Sequence, residues 1–367
     1  MKQAAFRNKL LIYVPMAVSL AILAALIAPN APSLLDTLKD SNPWWLALSL
    51  FFAFTSYLCM GMSLWEVLRI LGRPLPFWEA AGISFVSTTV NYFVSSGGIS
   101  GFAIRAHLLS KRDVPYGTSV TSSVVLSVFI YLILAVIVVE GLFLQILKTN
   151  NFGRSFLEGV LGVGFVLSFA FALTLLFFHE ELRHSWSRKI FKAVNHLIYF
   201  FSKREIPHES FLKFEQQLNC GIYTIHSRKY ELPRVVGYVT ADWICNILIL
   251  FFAFKAVGIS MGASRLIIGF AFGIIMTVIP VLPGGLGVME VAMTAAYSQM
   301  GIEVRHALTA SLLFRLFYYI VPSLVSILIY WGLKVSEHRH DRFQKPGVQY
   351  LEGRESEDDG EIPYSGA

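Results

Sequence analysis

The sequence contains few charged residues. Asp, Glu, Lys and Arg together make up 15% of its 367 residues, whereas soluble domains usually contain about a quarter. Hydrophobic residues make up 55%, and apolar runs of roughly 20 residues recur along the chain. This composition favours a polytopic helical membrane protein over a soluble protein with one large core.

Cysteine is also scarce, and the three cysteines are widely separated: Cys59, Cys220 and Cys245. An odd, scattered set predicts neither a disulfide framework nor a metal site. The sequence shows no dinucleotide-binding fingerprint, and no Ser-His-Asp catalytic triad can be inferred from it. His338 and His340 lie two apart in the tail, where solvated side chains are the favoured interpretation. We therefore expect no catalytic residue, no metal and no cofactor.

The net charge of +6 does not indicate a nucleic-acid partner, because the basic residues flank apolar runs instead of forming a soluble face. The apolar run from Leu10 to Ala28 is long for the core of a signal peptide. It therefore favours a first span that is retained.

Six full membrane spans are predicted, at about 10–28, 44–65, 119–144, 159–178, 235–257 and 307–333. Two further apolar regions, 78–104 and 265–300, are interrupted by glycine and proline. With a cytoplasmic N-terminus, 23 of the 30 Lys and Arg residues fall inside and six fall outside. This bias holds only if each interrupted region is a hairpin that returns to the side it entered from.

The first hairpin would enter from the cytoplasm and turn near Ser95–Gly98, and the second would enter from outside and turn near Pro283–Gly285. Irregular backbone is tolerated at membrane depth only where it is buried in protein or lines a wet cavity. Two broken apolar segments in corresponding halves point to an inverted-repeat transporter with a central site. The alternative is that the glycine pairs only permit close helix packing.

Four charges lie in or beside the predicted membrane segments: Arg105, Asp242, Glu290 and Arg315. A charge at mid-bilayer costs at least ~2.5 kcal/mol, so each is a functional candidate. Arg105, beside exposed glycine N–H groups, is suited to binding phosphate through bidentate contacts. The alternative for Arg105 is an ordinary anchor at the cytoplasmic interface.

Glu290 and Arg315 lie on consecutive elements, so the two side chains are expected to pair. Tyr319 lies on the same helix face as Arg315. A satisfied ion pair that only fixes packing is the alternative to a substrate site. Asp242 is a candidate for carrying a coupling proton, or it is satisfied by a neighbour's hydrogen bond.

The segment 179–234 is predicted to be cytoplasmic and to include an amphipathic helix from Trp186 onward. Its basic residues fall mostly opposite its apolar face, as expected for a helix lying on an anionic leaflet. Packing against another part of the chain is the alternative. The polar and then acidic tail, 335–367, is predicted to be disordered, which leaves 1–334 as the transmembrane domain.

Three stretches, GGISGFAIRAHLLSKR, IPVLPGGLGVMEVAM and LLFRLFYYIVPSL, resemble motif regions of the lysylphosphatidylglycerol synthase transmembrane-region family of flippase-like proteins. The family includes the membrane half of the bacterial multiple peptide resistance factor, which moves aminoacylated phosphatidylglycerol between leaflets. Many stand-alone relatives carry a Pro-x-Arg-x-Gly-Glu pattern in the first motif, where this chain has SSGGISG. The resemblance carries over, by motif, the positions Gly97, Gly98, Arg105, Pro283, Gly284, Gly285, Gly287, Glu290 and Arg315. Ser96 in the first turn and Tyr319 on the face of Arg315 complete the predicted substrate-binding positions.

The predicted fold is all-α, a polytopic helical membrane protein with about six full spans and two re-entrant hairpins in an inverted-repeat-like arrangement. The resemblance implies a flippase that moves an anionic phospholipid or lipid-linked headgroup across the bacterial inner membrane, with both termini in the cytoplasm. About 30 residues follow the last predicted span, so we expect no aminoacyl-transferase domain and no enzyme activity.

Two alternatives to a flippase remain open from the sequence. One is a membrane-embedded transferase acting on a lipid-linked donor, with Asp36 or Asp40 as base or metal ligand. The other is a non-transporting partner of a lipid-modifying enzyme.

Overall fold

The computed structural model describes residues 42–93, 99–149, 207–278 and 287–344, with scattered residues between 160 and 195. Within these ranges the regular structure is entirely helical, as expected for an all-α protein. The helices are α1 (Pro43–Ile70), α2 (Phe77–Phe93), α3 (Ile99–Ser110), α4 (Tyr116–Thr149), α5 (His208–Ser227), α6 (Leu232–Ala256), α7 (Ala263–Val278), α8 (Val288–Gln299), α9 (Val304–Arg315) and α10 (Val321–Gln344).

Four helical stretches are long and apolar enough to cross a membrane: Pro43–Ile70, Tyr116–Gly141, Lys229–Ala256 and Val304–Ser336. They confirm four of the six predicted spans. The predicted span 10–28 lies outside the described residues, and 159–178 lies mostly outside them. The fold is therefore that of a multi-pass helical membrane protein.

Helices α1 and α6 form the most extensive pairing among the described elements. Local sequence accounts for where α1 begins, since the side chain of Asn42 accepts a hydrogen bond from the Trp44 amide and Pro43 follows the cap. After α1 ends at Ile70, the chain turns through Gly72, whose φ of 72° favours glycine. Proline also stands in the first turn of α6.

The first interrupted region forms a helical pair that returns to the end where it began. Helix α2 has 17 residues and α3 has 12, and both are shorter than the roughly 20 residues that a full crossing needs. Arg112, just after α3, forms an ion pair with Glu79 in the first turn of α2. Gly101 permits the close approach, because a Cβ there would lie 2.9 Å from the Asn91 Cβ.

The second interrupted region has the same design. Helix α7 has 16 residues and α8 has 12. Near the end of α8, the Tyr297 hydroxyl donates a hydrogen bond of 2.8 Å to the carbonyl oxygen of Leu266, near the start of α7. The chain therefore again returns to the end it left.

The two helical pairs begin at opposite ends of the protein. Arg228 donates a hydrogen bond to the carbonyl oxygen of Ile70 at the end of α1, on the side of the Glu79–Arg112 pair. Phe254 packs against Tyr297 at the other end. We name these the arginine end (Arg69, Arg112 and Arg228) and the far end (Trp45, Lys255 and Tyr297). The opposed entry fits the predicted inverted-repeat arrangement, and the turns themselves, 94–98 and 279–286, lie outside the described residues.

Two helices extend past the apolar regions of the sequence. Helix α3 continues to Ser110, beyond the apolar region that ends at 104, and α10 continues to Gln344, past the predicted domain boundary at 334. No glycine or proline follows Lys334 until Pro346, so nothing in the local sequence ends the helix earlier.

The polar segment before α6 packs on the membrane helices at the arginine end. The amide of Gly117 in α4 donates to the side-chain oxygen of Gln217 in α5. A Cβ at Gly221 would lie 2.6 Å from the Thr121 Oγ1, so these helices touch closely. Phe191, in the predicted amphipathic helix, packs against Phe211 of α5.

Cysteine labelling should place the ends of the two helical pairs on opposite sides of the membrane. In a chain whose native cysteines are replaced, Ser110→Cys should react with an impermeant thiol reagent only from the cytoplasm, and Ser298→Cys only from outside. Ser260→Cys, exposed at the far end, is the reference for outside labelling. Labelling of Ser110→Cys from outside would show that the first interruption crosses fully.

Candidate functional site

The last span changes its helical form near its middle. Helix α9 ends at Arg315, a π-helical turn follows over Leu316–Ile320, and α10 then continues the same span. Such π-helical turns inside α-helices occur frequently at functional sites. The turn places Arg315 and Tyr319 in the interior, where they are 1% and 5% exposed.

Glu290 and Arg315 form the ion pair that the sequence suggested. The pair joins the Arg315 Nε to the Glu290 Oε1, and both side chains are almost fully buried. The second carboxylate oxygen accepts a hydrogen bond of 2.9 Å from the Gly287 amide. Gly287 has φ 81°, which glycine adopts without strain. The start of α8 thus fixes the carboxylate, and the carboxylate holds the last span.

The ring of Tyr319 connects this pair to the first helical pair. The Arg315 guanidinium carbon lies 4.4 Å from the Tyr319 ring centroid, within cation–π range. On the other side, the Tyr92 ring lies 4.4 Å from Tyr319, and the Tyr92 hydroxyl lies 2.9 Å from that of Tyr318. Tyr92, which precedes the turn at 94–98, and Glu290, which follows the turn at 279–286, therefore both contact the π-helical region of the last span.

Arg105 occupies a separate buried position in α3, where it is 6% exposed. Its Nε lies 3.3 Å from the Ser87 hydroxyl, and its Nη1 lies 3.5 Å from the Ser123 hydroxyl. Among the residues that the structure describes, no carboxylate forms an ion pair with it. A buried guanidinium with only neutral partners is well suited to receiving an anionic group.

Buried hydroxyl groups recur along α2 and α4, and two of them, those of Ser87 and Ser123, contact Arg105. Four of them donate to a carbonyl oxygen three or four residues earlier in the chain, as Thr121 does to that of Gly117. The Ser84 hydroxyl and the Asn91 side-chain oxygen are buried without a partner within the described part of the chain. The hydroxyl-bearing side chains of this layer are Ser84, Ser87, Thr118, Ser119, Thr121, Ser122, Ser123 and Ser127.

Asp242 lies between α1 and α6, 5% exposed and close to neutral hydrogen-bond donors. Its carboxylate accepts hydrogen bonds from the hydroxyl of Ser56 and, at 3.3 Å, from the side-chain amide of Asn246. The Asn246 amide also lies 3.2 Å from the Ser56 hydroxyl. Neighbouring side chains therefore satisfy the Asp242 carboxylate by hydrogen bonds, as one of the two sequence interpretations expected. A role of Asp242 in proton coupling stays a prediction.

Several predicted positions lie outside the described residues: Ser96, Gly97, Gly98, Pro283, Gly284, Gly285, Asp36 and Asp40. Of the predicted binding residues that are described, Gly287, Glu290, Arg315 and Tyr319 form one group, whereas Arg105 belongs to the hydroxyl layer. Sequence reasoning missed Tyr92 and that layer. The run TSVTSS at 118–123, inside an apolar span, was the available signal for the layer.

Glu66 is a further buried charge that the sequence did not single out. It is 1% exposed and pairs with Arg69 at 2.6 Å and with Arg234 at 3.5 Å. These contacts join the end of α1 to the start of α6 at the arginine end. Because both partners of the buried carboxylate are arginines at helix ends, these contacts indicate a packing role.

The structure therefore defines a polytopic all-α membrane protein in which two broken helical pairs meet at buried charges. The chain belongs to the family described as "Lysylphosphatidylglycerol synthase TM region", which it matches over residues 12–326.

The curated relatives have only general names. A "UPF0104 membrane protein" of Methanothermobacter thermautotrophicus is 23% identical over 316 residues, which cover 83% of this chain and 88% of that protein. A "UPF0104 membrane protein" of Pyrococcus horikoshii is 22% identical over 278 residues, which cover 73% and 82% respectively. Both organisms are archaea, and the bacterial origin expected from the sequence stays a prediction.

Proposed function

We propose that this protein is a lipid flippase that moves an anionic phospholipid or lipid-linked headgroup between the leaflets of the cytoplasmic membrane. Its termini would lie in the cytoplasm, so the arginine end would face the cytoplasm and the far end the outside. The acyl chains would remain in the bilayer, and the protein would shield only the polar headgroup. The proposal is of a transporter and not of an enzyme.

The observation that carries the proposal is the meeting of both broken helical pairs at one place in the last span. Tyr92 precedes the first turn and Glu290 follows the second, and both contact the Arg315–Tyr319 region. Broken helices that enter from opposite sides and meet near the midplane are typical of transporters with alternating access. A protein that only anchors a partner has no need of such an arrangement.

Arg105 is the second feature that supports the proposal, because it would provide a site for an anion inside the protein. Its guanidinium can bind phosphate through two parallel hydrogen bonds, while the hydroxyl groups of Ser87 and Ser123 replace headgroup water. Ser84 offers a buried hydroxyl with no described partner. The Glu290–Arg315 pair would then act as the gate, because moving the second helical pair away from the last span requires this buried contact to break.

The test is leaflet exchange in proteoliposomes made from the purified full chain. Fluorescently labelled phosphatidylglycerol should become accessible to a membrane-impermeant quencher when the protein is present. Arg105→Gln should slow this exchange by about tenfold to a hundredfold, because a hydrogen bond to a charged group is worth about 1.5–3 kcal/mol. Arg105→Lys should retain the charge but lose the bidentate geometry, and its exchange rate should fall between the two.

Arg73→Gln is the matched control, since Arg73 is an exposed arginine at the same end of the protein. It removes one positive charge without touching the hydroxyl layer, and its exchange rate should equal that of the unmodified protein. Equal slowing by Arg73→Gln and Arg105→Gln would support the interfacial-anchor interpretation of Arg105. Absence of exchange for every anionic lipid and lipid-linked sugar tested would count against a flippase.

A further inference from the structure

A shallow groove with basic walls lies between α3 and α10 at the arginine end. It has a volume of about 200 Å³ and is lined by His107, Leu108, Lys111, Tyr330 and Lys334. Two lysines and a histidine therefore face one small space. The charge of the groove is complementary to that of a phosphate group.

The groove lies where a lipid headgroup would be. Lys334 is two residues from the end of the apolar stretch Val304–Ser336. Tyr330 and the adjacent Trp331 are 42% and 68% exposed. Exposed tyrosine and tryptophan beside lysine at the end of a span mark the interface between hydrocarbon and water. A lipid headgroup bound in this groove would be in contact with water, and its acyl chains would lie in the adjacent hydrocarbon.

Neighbouring contacts hold the two walls of the groove together. Arg112 pairs with Glu79 of α2 and donates a hydrogen bond of 3.4 Å to the carbonyl oxygen of Leu333 in α10. A second nitrogen of Arg112 donates to the carbonyl oxygen of Leu108 in α3. One arginine thus joins α2, α3 and α10 directly beside the lining residues. The helices that carry the lining side chains are therefore held together beside the groove.

From these observations we propose that the groove binds the phosphate of an anionic glycerophospholipid of the cytoplasmic leaflet. The site is separate from Arg105. His107 lies two residues after Arg105 in the same helix, and two residues correspond to roughly 200° around the helix axis. Arg105 points toward Ser87 and Ser123, whereas His107 is exposed. The groove would hold a lipid against the protein whether or not the protein transports lipid.

Binding of defined lipids to the purified full chain tests this site. Native mass spectrometry would follow phosphatidylglycerol, with phosphatidylethanolamine as the lipid without net charge and inorganic phosphate as the soluble ligand. The measurements are made in an Arg105→Gln background, so that lipid held at that buried arginine does not contribute. Phosphatidylglycerol should bind this background more tightly than phosphatidylethanolamine does.

The double variant K111Q/K334Q should weaken phosphatidylglycerol binding about thirtyfold, and each single variant about fivefold, as expected for one interfacial lysine. K255Q/R265Q removes two charges at the far end, the half-buried Lys255 and the exposed Arg265, and should leave binding unchanged. Equal weakening by both double variants would overturn the proposal, because it would show only a general charge effect. Displacement of the lipid by millimolar inorganic phosphate would instead identify a soluble ligand and overturn the lipid assignment.

Discussion

Replacing Arg315 by glutamine should lower the free energy of unfolding by about 3–5 kcal/mol, because it leaves the Glu290 carboxylate buried without its partner. The Gly287 amide alone cannot compensate a carboxylate at this depth. The same change removes the cation above the Tyr319 ring. Unfolding in mixed detergent micelles, followed by tryptophan fluorescence, would measure the loss.

A double-mutant cycle separates the ion pair from general damage to the core. Glu290→Gln should destabilise by a similar amount, and the double variant E290Q/R315Q should lose clearly less than the sum of the two single changes. Arg305→Gln, on the exposed face of the same helix, is the matched control and should change stability by less than about 0.5 kcal/mol. Additive losses would show that the two charges do not depend on each other.

The pairing of Glu290 with Arg315 was predictable because chain order brings consecutive elements together. Opposed entry of the two helical pairs was predictable for a different reason, since the distribution of basic residues constrains which side each end occupies. Both predictions use only the order of residues along the chain. Neither requires knowledge of how distant helices pack.

The surroundings of these charges could not be predicted in the same way. Tyr92 and Tyr319 are separated by more than 200 residues, and no local pattern indicates that their rings meet. Arg105 was found as a charge, but its partners Ser87 and Ser123 come from two other helices. Serine is unremarkable in a membrane span, because it can donate to its own backbone. Its role near Arg105 follows only from the packing of α3 against α2 and α4.

The structure shows a role for glycine that the sequence analysis did not assign to particular residues of the helices. The sequence drew attention to the glycine pairs in the turns, which lie outside the described residues. The structure instead shows glycines within the helical arms that permit close packing, including Gly101 and Gly269. The close-packing interpretation therefore applies to glycines of the helical arms, and the role of the glycines in the turns stays a prediction.

Replacing Gly269 by alanine should destabilise the second helical pair by about 1–3 kcal/mol, since an extra methyl group would overpack a fully occupied core. Its Cβ would overlap the ring of Tyr297. That ring is 0% exposed, packs against Phe254 and has its hydroxyl bonded to the carbonyl oxygen of Leu266. It therefore has no free direction in which to move.

Two other glycines turn this prediction into a graded series measured by the same unfolding experiment. Gly273→Ala should destabilise less, because its Cβ would meet Met293, whose unbranched side chain can adapt. Gly237→Ala, with nothing within 4 Å of the added Cβ, should be neutral or stabilising, because alanine is the better helix former. Equal stability of the Gly269 and Gly237 variants would show that α7 and α8 are not in close contact. It would then remove the evidence that the second interrupted region returns to the end where it began.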